Sequence, residues 1–185
     1  DEAVTESACR FLKEWNEQSS DKPLALVVGY VLPHCPYICP PELFRHYYAR
    51  VSVPQLPPGC LDRMHPAERE DRQRRGFDAL SDEQVRTARA AYYGLVEYHD
   101  RLCGRVLDAL ARTRFADNTV VVYTSDHGDM AGEHRLWTKS LFYEGSAGVP
   151  MIWSWPGRFA AGRVVGRVTS LLDIGPTLLD LADAK

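Results

Sequence analysis

The sequence predicts an α/β domain with a mostly parallel sheet layered between helices, and three observations lead there. "LALVVGYV", residues 24–31, is a β-rich run without polar alternation, which suits a central strand covered on both faces. Two more β-rich runs, "TVVVYT" (119–124) and "VPMIWSW" (149–155), come later in the chain. Segments of helical periodicity lie between the first two runs and after the third, the alternation expected of a sheet between helix layers.

The elements follow in order. Residues 2–18 place Val4, Ala8, Phe11, Leu12 and Trp15 on one helical face. The turn "SSDKP" leads into the first strand, which runs into the proline-rich loop "LPHCPYICPPE". "ELFRHYY" predicts a short helix. Residues 49–66, with prolines, Gly59 and no period, read as a surface excursion, and "EREDRQRRGFD" as a solvated face of mixed charge. Ser81 and Gln84 form a capping-box pattern, each side chain satisfying the other's free backbone donor. Val85, Ala88, Tyr92, Leu95, Val96, His99, Leu102, Val106 and Leu110 then recur at helical spacing to near Arg112, with His99 a core histidine on that stripe. "DIGPTLLDLA" closes with another helix.

At 185 residues the chain is one ordinary domain or a large part of a bigger one. A net charge of -3 gives no general reason to expect nucleic acid as a partner. The longest apolar run, around Leu24 to Val31, is too short to cross a bilayer. The acidic, polar start "DEAVTESACR" is the opposite of a secretion signal. The five cysteines are odd in number, and Cys35-x-x-x-Cys39 is neither a zinc-ribbon nor a thioredoxin spacing. Free thiols are expected, with a disulfide or metal role for that pair as the alternative.

Chemistry concentrates in "VVVYTSDHGDMAGEHRLWTK", residues 120–139, where an apolar strand runs straight into Asp126, His127, Gly128 and Asp129, and Lys139 follows. In open α/β sheets, ligands bind beyond the carboxyl ends of the strands. The first strand leads to His34 and the later one to Asp126 and His127. Parallel strands would therefore bring these groups to one cleft. Asp126 offers oxygen and His127 a ring nitrogen to a divalent cation, a turn cap being the other reading of Asp126. Asp129 reads as a loop residue. Beside a cation, Lys139 and His34 would clamp a tetrahedral oxyanion; opposite unit charges 4 Å apart attract by roughly 4 kcal/mol at an effective dielectric of about 20. Glu133 and His134 lie in the same loop, within reach.

The assembled pattern carries a resemblance. "TVVVYTSDHGDMAGEHRLWTKSLFYEG" resembles the second signature region of the sulfatases, within the alkaline phosphatase superfamily. "ALVVGYVLPHCPY" is similar to the family's strand followed by Pro-His-x-Pro, "AAYYGLVEYHDRLCGRVLDALARTRFADNT" to its long helix, and "LLDIGPTLLDLA" to its later Asp-x-x-Pro-Thr-Leu-Leu element. The likeness covers most of the chain in the right order. It implies an alkaline-phosphatase-like fold and hydrolysis of sulfate esters. By the same resemblance, Asp126 and His127 bind a divalent metal, Lys139 and His34 are catalytic residues contacting the sulfate, and His134 is a further substrate-binding residue. The implied metal is Ca²⁺, with Mn²⁺ or Mg²⁺ as alternatives because imidazole is an unusual ligand for so hard a cation.

The chain also departs from the pattern. The family nucleophile is formylglycine, made within Cys-x-Pro-Ser-Arg, and neither that motif nor the paired aspartates of the family's first strand occurs here. Both are expected upstream of residue 1, and a small C-terminal antiparallel subdomain after Lys185. Residues 1–185 then form a central to C-terminal portion of a sulfatase catalytic domain, inactive alone. Arg135 stands where glycine is common, and Gly148 where arginine is frequent, a change expected to loosen support of the cleft. The implied partner is a small sulfate ester or a sulfated carbohydrate. The same residues also suit a phosphonate monoester hydrolase or phosphodiesterase of the superfamily, or a non-catalytic module binding a metal or a sulfated glycan.

Overall fold

The long helix is where local sequence and structure agree most closely. In the computed structural model, which describes residues 1–18 and 22–183, the Ser81 hydroxyl accepts from the Gln84 N–H at 3.2 Å. The Gln84 side chain returns the bond to the Ser81 N–H at 2.9 Å. Two of the end's free donors are thereby satisfied. The helix that follows is α4, Asp82–Ala111, and its buried stripe includes Val85, Leu95, His99 and Leu102. Two helices pack against it: α1 (Glu2–Glu17) and α2 (Pro41–Tyr48). Gly94 lets α2 approach closely, because a Cβ there would lie 2.6 Å from Cys39 Sγ and 3.4 Å from Leu43 Cβ.

His99 is a core residue, as its place on the stripe predicts. Its ring meets Tyr30 edge-on at 5.0 Å and lies 6.0 Å from Tyr123, and burial lowers its pKa. Tyr30 and Tyr123 thus touch the same imidazole, which places the 24–31 run beside the strand that bears Tyr123. All five cysteines are free thiols.

The sheet differs from the expectation. The strands are β1 (Val121–Thr124), β2 (Met130–Ala131), β3 (Trp137–Thr138) and β4 (Met151–Ser154). β1 pairs with β4, and β2 with β3, and both pairs are antiparallel. The geometry of the connection explains the first pairing. Thr124, the end of β1, lies opposite Met151, the start of β4, so the chain returns at the end from which it left. A parallel partner requires a crossover back to the far end. Residues 24–31 are extended but pair with no strand among the described residues. The Val31 and Leu32 N–H groups donate to the Asp1 carboxylate instead, at 3.1 and 2.8 Å, and Val27 is 93% exposed.

The remaining segments fold over the long loop between β1 and β4. Residues read as a surface excursion contribute Met64, which is buried with Met130 and Leu136. The mixed-charge stretch forms α3, Pro66–Arg74, opened by proline at its first position. It is only partly a solvated face, since Arg72 is buried and paired with Asp78 at 3.0 Å. A four-residue helix, α5 (Glu144–Ala147), precedes β4, and α6 (Ile174–Leu181) ends the described chain.

One buried ion pair fastens the loop to α4. Arg89 donates to Glu133 at 2.6 Å and to the Ala131 carbonyl, while the Ala131 N–H donates to Glu133 at 2.7 Å. Burial raises the Glu133 carboxyl, but the bonds from Arg89 and Ala131 outweigh it and hold the pKa below the ordinary value of 4.5. This stability is present above the ordinary glutamate value and is lost as pH falls through the lowered folded one.

Two outcomes are expected from this packing. Gly94→Ala should destabilise by about 1–3 kcal/mol through overpacking, despite alanine's better helix propensity, and adding Cys39→Ala should restore most of the loss in a denaturant titration. Glu133→Gln should cost about 2 kcal/mol at neutral pH, less than the roughly 3–5 kcal/mol of a fully buried broken pair, because the Glu133 side chain is 41% exposed. That difference from wild type should shrink in acid; a constant difference from neutral pH to below the lowered pKa would show that the pair carries no such linkage.

Candidate functional site

Two loops make the site, and hydrogen bonds from Tyr37 to Asp129 and from Lys139 to His34 join them. The first follows the 24–31 run and carries His34, with cis peptide bonds at Leu32–Pro33 and Cys35–Pro36. The second follows β1 and carries Asp126 to Lys139. Tyr37 reaches across from the first loop and donates its hydroxyl proton to Asp129 Oδ2 at 2.9 Å. Its ring packs against Tyr92 of α4 at 5.6 Å and Trp137 of β3 at 6.3 Å. Burial pushes the Tyr37 hydroxyl far above the ordinary tyrosine range, with the Asp129 carboxylate adding to the shift, so it remains a donor.

The structure brings His34 and Lys139 together. Lys139 Nζ lies 2.7 Å from His34 Nε2, across 105 residues of sequence. His34 Nδ1 lies 2.7 Å from the Cys35 carbonyl, which can only accept, so Nδ1 carries the proton. Nε2 is therefore the lone-pair nitrogen, and the Lys139 ammonium donates to it. His127 is set the same way: Nδ1 donates to the Gly128 carbonyl at 2.7 Å, leaving the Nε2 lone pair free to bind.

Asp126 is exposed, and its Oδ2 lies 3.6 Å from His127 Nε2. Two atoms at that separation can both ligate one cation, since bonds of roughly 2.3 Å meeting near a right angle span about 3.3 Å. Asp126 Oδ1 accepts from the His127 N–H at 3.0 Å, so the turn-cap reading and the ligand reading use different oxygens. Among the described residues, no cluster of three or more His, Cys, Asp or Glu forms around them. These two groups fit part of a divalent-metal shell and no more than part. The hard cations named above need several further oxygens.

Asp129 sits between the parts. Burial raises its carboxyl above the ordinary aspartate value, opposed by the Tyr37 bond and by the positive potential of His127, His34 and Lys139. Those three groups therefore all act on one carboxylate. Asp129 Oδ1 is buried and has no hydrogen-bond partner among the described residues. An open depression of about 260 Å³ is lined by His34, Cys35, Arg75, Asp129, Thr138, Lys139 and Ser140. His134 is not among these residues; its ring stacks on Tyr143 at 4.4 Å.

Backbone strain clusters on the same loop. Thr138 and Ser140, either side of Lys139, have φ of 68° and 74°, and His134 and Arg135 have 55° and 56°. Left-handed backbone costs roughly 1–2 kcal/mol for a residue with a Cβ, and a β-branched residue such as Thr138 is a true outlier there. Arg135, standing where glycine is common, thus occupies a conformation that glycine suits. Its guanidinium bonds the Leu80 carbonyl and Asp82, both at 3.2 Å. Gly128 and Gly148 are sites of close approach. A Cβ on Gly128 would lie 2.3 Å from the Gly145 carbonyl oxygen, and one on Gly148 would lie 2.5 Å from Glu144 Oε1. The space beside Gly148 is filled by Glu144, so a larger residue there needs a rearranged loop.

Sequence reading missed Tyr37, Arg75 and Arg89 as parts of this region and took Asp129 for a plain loop residue. Arg89 has a faint local signal, a charged residue on the apolar stripe of α4. Tyr37 and Asp129 have none, because they are each other's partners across 92 residues, and Arg75 is one of several charges in a mixed run.

The sequence model of the Sulfatase family matches residues 1–184. A choline-sulfatase from Rhizobium meliloti (strain 1021) is 38% identical over 177 residues, covering 92% of this chain and 34% of that protein. An arylsulfatase from Clostridium perfringens (strain 13 / Type A) is 36% identical over 170 residues, covering 87% of this chain and 34% of that one. Among solved structures, a phosphonate monoester hydrolase from Silicibacter pomeroyi superposes with a TM-score of 0.84 at 29% identity, covering 98% of this chain and 37% of that one. The chain thus spans about a third of the length of the curated relatives it matches. Its fold is that of the sulfatases and their alkaline-phosphatase-like relatives, although the strand pairs within this chain are antiparallel. With the family model matched from end to end of the described residues, the chain belongs to the sulfatase family.

Proposed function

We propose that this chain is a central portion of a sulfate-ester hydrolase, supplying the anion clamp and part of the metal shell. The observation that carries the reading is the Lys139–His34 contact of 2.7 Å, with both residues and His127 acting on the same Asp129 carboxylate. Both polar heads point at one shallow, open depression. The ammonium, held by the imidazole and in no ion pair with a carboxylate among the described residues, is poised to turn onto a tetrahedral oxyanion. Family membership and the choline-sulfatase and arylsulfatase relatives support a sulfate ester as the substrate.

In this reading Asp126 and His127 hold a divalent cation, Ca²⁺ before Mn²⁺ or Mg²⁺, which lowers the cost of negative charge on the bound oxygens. Formylglycine, contributed from outside residues 1–185, supplies the nucleophile. The residues of this chain bind and orient. Lys139 neutralises charge on the ester oxygens, and His34, whose Nε2 accepts from that ammonium, aims it at the edge of the same anion. His127 Nδ1, fixed by the Gly128 carbonyl, keeps Nε2 aimed at the cation. Asp129 positions both loops through Tyr37 without contacting the ester. His134 reaches a substrate only at the rim, through the face of its ring not covered by Tyr143.

The phosphonate monoester hydrolase likeness favours a second reading, in which the same clamp takes a phosphorus ester. The two esters share tetrahedral shape and a single negative charge, and differ in the central atom and in the carbon substituent that the phosphonate carries. Kinetics on the full-length protein separate them. A sulfate monoester should turn over with a higher kcat/KM than a phosphonate monoester, and the reverse order would establish the second reading. Lys139→Ala and His34→Ala should each lower kcat/KM on the preferred ester by about 100- to 1000-fold, the usual loss of one oxyanion donor. Activity within a few-fold of wild type in both variants would remove the clamp from the mechanism. Residues 1–185 alone should show no esterase activity.

A further inference from the structure

We infer that Arg75 is a specificity-determining residue that binds a second anionic group on the substrate, so that esters whose leaving group is itself negatively charged are preferred. The inference rests on the proposed sulfate-ester reading and concerns the same depression.

Arg75 reaches the site from an element that neither signature loop contains. It caps the C-terminal end of α3, where its N–H bonds back to the Asp71 and Gln73 carbonyls. Gly76 follows in a left-handed turn at φ 70°. The turn directs the chain away and leaves the Arg75 side chain on the wall of the depression that also holds His34 and Lys139. Its Nε ion-pairs with Asp71 at 2.7 Å, an interaction within one helical turn that fixes the direction of the guanidinium. Asp71 also pairs with Arg74, so one carboxylate is shared by two cations and cannot neutralise both. Sharing and solvent exposure make this a weak pair, and Arg75 keeps most of its positive potential.

Charge around the depression is therefore unbalanced. Lys139 and Arg75 are cations and Asp129 is the one carboxylate among the lining residues described; the bond from neutral Tyr37 leaves its charge in place, so the lining carries one net positive charge. Lys139, which contacts His34, takes the ester sulfate. Arg75 stands on a separate element of the wall, where its planar fork suits a carboxylate or a second sulfate through paired hydrogen bonds. About 260 Å³ is close to the lower bound of ordinary ligand pockets, roughly 300 Å³, so both cations lie within reach of one small ligand. A cationic leaving group such as choline would meet like charge at this wall.

The test uses the full-length protein as wild type, Arg75→Ala and Arg75→Lys. Turnover of para-nitrophenyl sulfate is compared with that of the same ester carrying a ring carboxylate. Direct titration compares a monosulfated with a disulfated glucose. Wild type should prefer the doubly charged member of each pair by about tenfold, carried by KM in the kinetic pair. Arg75→Ala should abolish that preference while leaving the singly charged member within twofold, and Arg75→Lys should retain part of it. No preference in wild type, an unchanged preference in Arg75→Ala, or equal loss on both members would overturn the inference. If wild type hydrolyses no sulfate ester, the proposed function fails by itself. The titration still decides on Arg75, supporting it with a preference that Arg75→Ala removes and overturning it with none. Unfolding midpoints of the three proteins, expected to agree closely, exclude a folding effect.

Discussion

The site depends on a single hydrogen bond between a tyrosine and a half-buried carboxylate. Asp129 is costly where it sits, because burial disfavours its charge and one of its oxygens has no partner among the described residues. The Tyr37 hydroxyl, 2.9 Å away, is its one direct hydrogen-bond donor among the described residues. The bond spans 92 residues and fastens the His34 loop to the Asp126–Lys139 loop. Tyr37 is in turn held by aromatic contacts to α4 and β3, so the bond refers both loops to the most regular helix of the fold. His34 and Lys139 lie on the two loops that this bond joins.

Around that pin the loop is held tightly and at some cost. Arg89 and Glu133 clasp it to α4, Gly128 is pressed against the Gly145 carbonyl, and Lys139 is flanked by two residues in left-handed backbone. Strained backbone persists only where its surroundings over-determine it. Here the surroundings are the buried clusters around Trp137 and Leu136, on both sides of the strained stretch. The rigidity has a functional use, since a clamp for an oxyanion must have its donors aimed before the ligand arrives.

What the sequence made legible were features whose causes are local. The Ser81 capping box, the buried stripe of α4, core His99, both ends of α1 within a residue or two, and the strand before Asp126 all follow from spacing within a few turns of chain. The family pattern placed His34 and Lys139 together although nothing in their own neighbourhoods does so. Features set by distant partners were out of reach. Residues 24–31 have the composition of a buried strand, yet strand pairing is a property of two segments, and the N–H groups at its end bond the Asp1 carboxylate. The mostly parallel sheet expected is not seen among the described residues, where the β1–β4 pair is antiparallel, because apolar runs carry no sign of which way the neighbour travels. Arg75 disappeared into a mixed-charge run, and Tyr37 into a proline-rich loop, because their importance lies in what stands opposite them.

Replacing Tyr37 by phenylalanine removes the pin and keeps the ring, so amide hydrogen exchange on that variant is the most direct measurement. Loosening confined to residues 32–40 and 126–140, with α4 protected as before and the His34 and Lys139 side chains parted in a crystal structure, is the result expected of a site assembled by this bond. Unchanged exchange in both loops, with Lys139 still 2.7 Å from His34, would contradict it.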